Sequence, residues 1–154
     1  MDELENQLKE FANKLKNLNL KVKLISLIEN AKQEYNNCDL KACRELLLQV
    51  KNIDSTQAVV WRGLGCLKQS EGNFQSALVF YKKALEFSEH KELEFTLIGT
   101  IYYLLDNLDE AIRYFQLAID ENEDYEQAYE GRNQAMLENQ VKLIDLQETL
   151  KKYF

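Results

Sequence analysis

Residues 120–131, DENEDYEQAYEG, hold the densest run of oxygen ligands in the chain. Asp120, Asn122 and Asp124 match the first three ligands of a calcium loop. The sixth position needs glycine for its sharp turn and is Tyr125; the twelfth needs a bidentate glutamate and is Gly131. The run therefore reads as an acidic turn followed by a helix start, where acids favour the dipole. Cys38, Cys43 and His90 would make three zinc ligands, but without the paired C-x-x-C spacing that zinc sites favour. Together with Cys66 the cysteines read instead as reduced thiols. RGLG at 62–65 lacks the third glycine and the preceding strand of a nucleotide loop. The single His90 lies in the polar turn SEHKE, and no serine or cysteine has a base beside it in sequence. Carboxylate pairs are plentiful, on what read as solvated helix faces. The expectation is no catalytic residue, no metal and no cofactor, and hence no enzyme.

The elements that would carry such residues are helices. Among 154 residues there is no proline and there are only five glycines. β-sandwiches and α/β folds usually need more turn residues than that. With 45% apolar and 29% charged residues the composition is that of a globular domain, and no apolar run approaches the length of about 20 residues that a bilayer requires. The net charge of −7 falls entirely in the later part of the chain: seventeen acids and ten bases follow residue 57, against nine of each before it. Such a surface opposes phosphate backbones and anionic lipid, so neither nucleic acid nor membrane is an expected partner. The start, MDELENQLKE, lacks the basic-then-apolar pattern of a signal peptide, and a cytoplasmic location is expected.

Rows of 34 residues starting at Leu24, Ala58 and Glu92 align the chain with itself. The fourth position reads Leu27, Trp61, Phe95; the eighth Ala31, Gly65, Gly99; the twenty-fourth Leu47, Tyr81, Phe115. Large apolar residues recur where a helix must fill space, and small ones where two helices must approach closely. Each row predicts two helices, joined by NNCD, SEGN or DNLD, with Asp39, Asn73 and Asp106 as expected N-caps. Asp54 with Gln57, and Asp124 with Gln127, have capping-box spacing. Helix pairs of this kind must stack to hide their apolar faces. About eight helices and no sheet are expected, with Trp61 enclosed between the helices of the second row.

With Trp61, Leu64, Gly65, Gly72, Ala77, Tyr81 and Ala84 in the middle row, this period resembles the tetratricopeptide repeat (TPR). The third row matches at Phe95, Gly99, Tyr102, Ala111, Phe115 and Ala118; in the first, Cys38 and Cys43 replace the family's glycine and alanine. The resemblance covers three repeats, 24–57, 58–91 and 92–125, and implies an all-α fold, a right-handed α-solenoid of TPR helix-turn-helix repeats. A helix over 1–20 and another over 126–154 would cap its ends, giving one domain over 1–154. Leu4, Leu8, Phe11, Leu15, Leu18, Val22 and Ile25 follow heptad spacing, which fits a cap or, alternatively, a homodimer through the N-terminal helix. Leu143, Leu146, Leu150 and Phe154 carry an apolar stripe to the last residue.

In such a stack the first helix of each repeat lines the inner wall. Positions 2, 5, 9 and 12 of each row face it: Ile25, Ile28, Lys32 and Tyr35; Val59, Arg62, Cys66 and Gln69; Leu93, Thr96, Thr100 and Tyr103. A peptide-binding site is expected at Ile28, Lys32, Tyr35, Arg62, Cys66, Gln69, Thr96, Thr100 and Tyr103. Apolar anchors would sit beside the bases Lys32 and Arg62, which suit an acidic group of a bound protein or peptide. The resemblance thus implies a protein-interaction module or adaptor. Its rivals are a TPR-type chaperone of secretion translocators and a structural subunit that associates through its terminal helices.

Overall fold

The computed structural model describes residues 2–153, with side chains described for 5–151. Leu4 and Phe154, expected on the two terminal stripes, therefore lie outside the described side chains. Seven helices and no strand form among the described residues. They divide into two compact units, residues 1–56 and 57–154.

The first unit is a helix hairpin of α1 (Asp2–Asn36) and α2 (Leu40–Ile53). The expected separate helix over 1–20 does not end there: with neither proline nor glycine before Asn36, α1 runs on unbroken. The expected count of eight helices falls to seven for this reason. Every side chain from 5 to 23 is exposed. Burial begins at Leu24 and continues with Ala31, against Cys43, Leu47 and Val50 of α2.

The second unit contains α3 (Ala58–Ser70), α4 (Phe74–Phe87), α5 (Lys91–Leu104), α6 (Leu108–Glu121) and α7 (Glu126–Tyr153). Each helix packs on the next in sequence, and α7 packs on both α5 and α6. Ala77, Leu78, Tyr81, Ile98 and Ile101 form one core cluster; Leu108, Ala111, Phe115 and Ala135 form another. Trp61 is half-buried rather than enclosed, with its ring stacked on Phe80 at 6.2 Å. Tyr81, not Trp61, is the large aromatic with no exposed surface.

Three turns keep the 34-residue register in backbone geometry. Cys38, Gly72 and Asp106 all take positive φ, at 62°, 72° and 61°. The residue after each one caps the following helix: Asp39 accepts from the Ala42 amide at 2.9 Å, Asn73 from Ser76 at 3.1 Å and Asn107 from Glu110 at 3.3 Å. The cap of α6 is therefore Asn107 and not Asp106, which holds the left-handed position that glycine fills in the middle repeat. The Asp54 carboxylate turns to the Thr56 amide and hydroxyl, at 2.9 and 2.6 Å, and the Gln57 side chain makes no capping bond to α3.

Candidate functional site

Small residues set the spacing of the helices that carry the site. A Cβ added at Gly65 on α3 would lie 2.5 Å from the Tyr81 ring of α4. Phe115 of α6 is approached from two sides: a Cβ at Gly99 of α5 would stand 3.0 Å from it, and one at Gly131 of α7 2.5 Å. The 34-residue period points to Asn133 as the next small position, and Asn133 is exposed. Gly131, two residues earlier, lets α7 come down on Phe115.

That approach brings α7 alongside α5, where Tyr103 donates its hydroxyl to Glu138 Oε2 at 2.7 Å. This bond, ahead of all other influences, pushes the Tyr103 hydroxyl pKa above its ordinary value; Gln134 opposes the shift. One helix earlier, Arg62 of α3 reaches Glu94 of α5, with Nε 2.9 Å and Nη2 2.5 Å from the same oxygen, Oε1. Glu94 has no exposed surface, while the Arg62 side chain keeps 26% of its own. The second oxygen of Glu94, Oε2, is buried without a hydrogen-bond partner. Tyr125, in the turn before α7, lies close enough to feel the pair. Burial first of all raises its hydroxyl pKa, the negative charges of Glu92 and Glu94 add to this, and Arg62 opposes it.

Four other residues expected on this wall, Cys66, Gln69, Thr96 and Thr100, are hydrogen-bonded within the unit. Tyr81 donates to Gln69 Oε1 at 2.7 Å and to Cys66 Sγ at 3.4 Å. Thr96 donates to the Glu92 carbonyl at 2.8 Å and Thr100 to the Thr96 carbonyl at 2.9 Å. Two polar contacts thus cross between first helices, α3 to α5 and α5 to α7. The anion expected for Arg62 is supplied by the chain itself. Neither Glu94 nor Glu138 stood out in sequence: the partner lies 32 residues from Arg62 and 35 from Tyr103, and only the packed helices bring them together.

In the first unit, Ile28 is half-buried, while Lys32 is exposed and pairs with Glu29 one turn back at 2.8 Å. Tyr35 retains 38% of its surface. Cys38 is exposed, Cys43 buried and Cys66 half-buried. No cluster of histidine, cysteine or carboxylate residues is placed to hold a metal among the described residues. The acidic run at 120–131 is divided between the end of α6, a turn and the start of α7. No described helix is long and apolar enough to cross a membrane.

The tetratricopeptide-repeat family profile matches residues 60–91 and 95–125. Among solved structures, PilF of Pseudomonas aeruginosa superposes with a TM-score of 0.72 at 17% identity, over 79% of this chain and 56% of that one. The Yersinia enterocolitica type III secretion chaperone SycD, in complex with a peptide of the translocator YopD, gives 0.67 at 15%, over 75% of this chain and 94% of that one. A mutant of Thermobaculum terrenum O-GlcNAc transferase gives 0.70 at 18%, and this chain spans only 22% of that protein. At these identities the likeness is one of fold. No curated protein matches the chain by sequence.

Proposed function

From the premise that the chain is a tetratricopeptide-repeat protein, we propose that it is a non-enzymatic protein-interaction module whose second unit binds a peptide along α3, α5 and α7. The observation that carries this reading is the Arg62–Glu94 pair. Core packing does not require an ion pair there, and enclosing a carboxylate with one oxygen unpartnered costs stability. The pair instead holds the guanidinium in one position before any ligand arrives, which lowers the ordering cost of binding. Because Glu94 offsets the charge, Arg62 offers N–H donors more than net positive charge. A main-chain carbonyl of an extended peptide suits it better than a second acid. Cys66, Gln69, Thr96, Thr100 and Tyr103 extend the same wall. The SycD likeness, which runs over nearly all of that chain, favours a secretion chaperone as the second reading.

A displayed library of short random peptides, selected on the full chain, tests the site. The enriched sequences should be lost with Thr100→Tyr, which fills the wall, while helicity by circular dichroism stays unchanged. Undiminished binding of the same peptides to that variant overturns the assignment.

A further inference from the structure

The 34-residue period calls for a second helix over about 142–152 to cover the outer side of α7 and α6. α7 instead runs straight through that stretch to Tyr153. A groove of about 680 Å³ is left open between α6 and α7, with Ile112 and Leu117 on one side and Met136 on the other. It continues along α7 past Leu137 to Leu143. Met136, Leu143 and Leu150, spaced by seven, are each about half exposed. The chain carries a second exposed stripe of the same spacing along α1, Leu8, Leu15 and Val22 with Phe11, Leu18 and Ile25.

We propose that the α6–α7 groove receives the N-terminal half of α1 from a second copy of the chain, so that copies join head to tail. Apolar rows of equal spacing let two helices lie along one another over several turns. Charge selects this pairing over others. Residues 8–25, the span of that stripe, contain five lysines and one acid, Glu10, which pairs with Lys14 at 2.7 Å; Lys14 with Lys16, and Lys21 with Lys23, flank Leu15 and Val22. Residues 106–148 contain twelve acids against three bases, and each base is already bonded within the chain: Arg113 to Glu110, Arg132 to Gln116, Lys142 to Asp106. An α1-to-α1 pairing would set mostly lysines against lysines, with Glu10 already held by Lys14, whereas residues 106–148 around the groove carry twelve acids to three bases. A contact between two different faces does not close on itself, so assemblies grow with concentration unless the geometry makes a ring.

Light scattering after size exclusion on the full chain tests this, with two double variants: Leu15→Glu with Leu18→Glu, and Met136→Glu with Leu143→Glu. All four side chains are exposed, so the fold does not depend on them. Circular dichroism checks this, and Lys14→Glu with Lys21→Glu serves in place of the first pair if helicity falls. The wild type should gain mass with concentration, and each variant alone should be monomeric. The two mixed should form a one-to-one complex of twice the monomer mass, because one keeps the groove and the other keeps α1. A wild type that stays monomeric overturns the proposal. So does a groove variant that still dimerises alone, which would mean α1 pairing with α1, or an α1 variant that does so, which would mean groove pairing with groove.

Discussion

Ala31 and Gly65 stand at the same place in successive repeats, yet they solve different packing problems. In the first unit Ala31 is buried opposite an aliphatic partner helix that contributes Leu47 and Val50. In the second unit the residue 34 positions on from Leu47 is Tyr81, fully enclosed, and its ring occupies the space that a Cβ at Gly65 would need. A larger side chain on one helix therefore demands a smaller one on its neighbour. The first unit is an aliphatic hairpin, and the second is built on aromatic rings set against glycine.

The largest effect should come from emptying these equivalent positions. Tyr81→Ala is expected to cost about 3–5 kcal/mol, and Leu47→Ala to fall toward the lower end of about 2–5 kcal/mol. Trp61 is the only tryptophan and belongs to the second unit, so its fluorescence during urea unfolding reports that unit alone. Tyr81→Ala should shift the fluorescence midpoint strongly and Leu47→Ala weakly. Equal shifts would show that the two units unfold as one body and would break the comparison.

A smaller effect should sharpen it. Gly65→Ala gains about 1 kcal/mol in helix propensity but forces a contact at 2.5 Å, and overpacking of that kind costs about 1–3 kcal/mol. A net loss is expected. Ala31→Gly, the reverse exchange in the other unit, should lose about 1 kcal/mol through propensity and about 1 kcal/mol more with the buried methyl it removes. If Gly65→Ala proved stabilising, the Tyr81 ring would have to move aside freely, and the contrast between the units would dissolve.

The smallest effect concerns the turns. Cys38 adopts positive φ where the middle repeat has Gly72, and a side chain in that region costs about 1–2 kcal/mol. Cys38→Gly should raise stability by about 1 kcal/mol, and Gly72→Ala should lower it by a similar amount. No atom lies within 4 Å of a Cβ built at Gly72, so thermal unfolding of that variant reads backbone strain without packing.

These contrasts also show how far the sequence could be read. Periodicity located the helices, the turns and the close approach of Gly65 and Gly99, because those features repeat. It missed what does not repeat. The continuity of α1 follows from the absence of any breaker between the heptad stripe and the first repeat, and a repeat alignment has no place for such a fusion. Gly131 is displaced by two residues from the periodic position. Enclosure passed from Trp61, half-buried against Phe80, to Tyr81, whose ring lies against Gly65 with none of its surface exposed. On the wall, Arg62 and Tyr103 were legible as positions on a helix face. Their carboxylate partners were not, because each lies on another helix more than 30 residues away.

α1 is about 50 Å long at 1.5 Å per residue, and its first half has no neighbour within its own hairpin. Most helical stability in proteins comes from tertiary packing, so this half borrows its order from the half that α2 holds. Amide hydrogen exchange should accordingly be faster over residues 5–23 than over the part of α1 that α2 covers. Whatever docks on that stripe must spend part of its binding energy on fixing the backbone, which shortens the lifetime of the complex and keeps the attachment reversible.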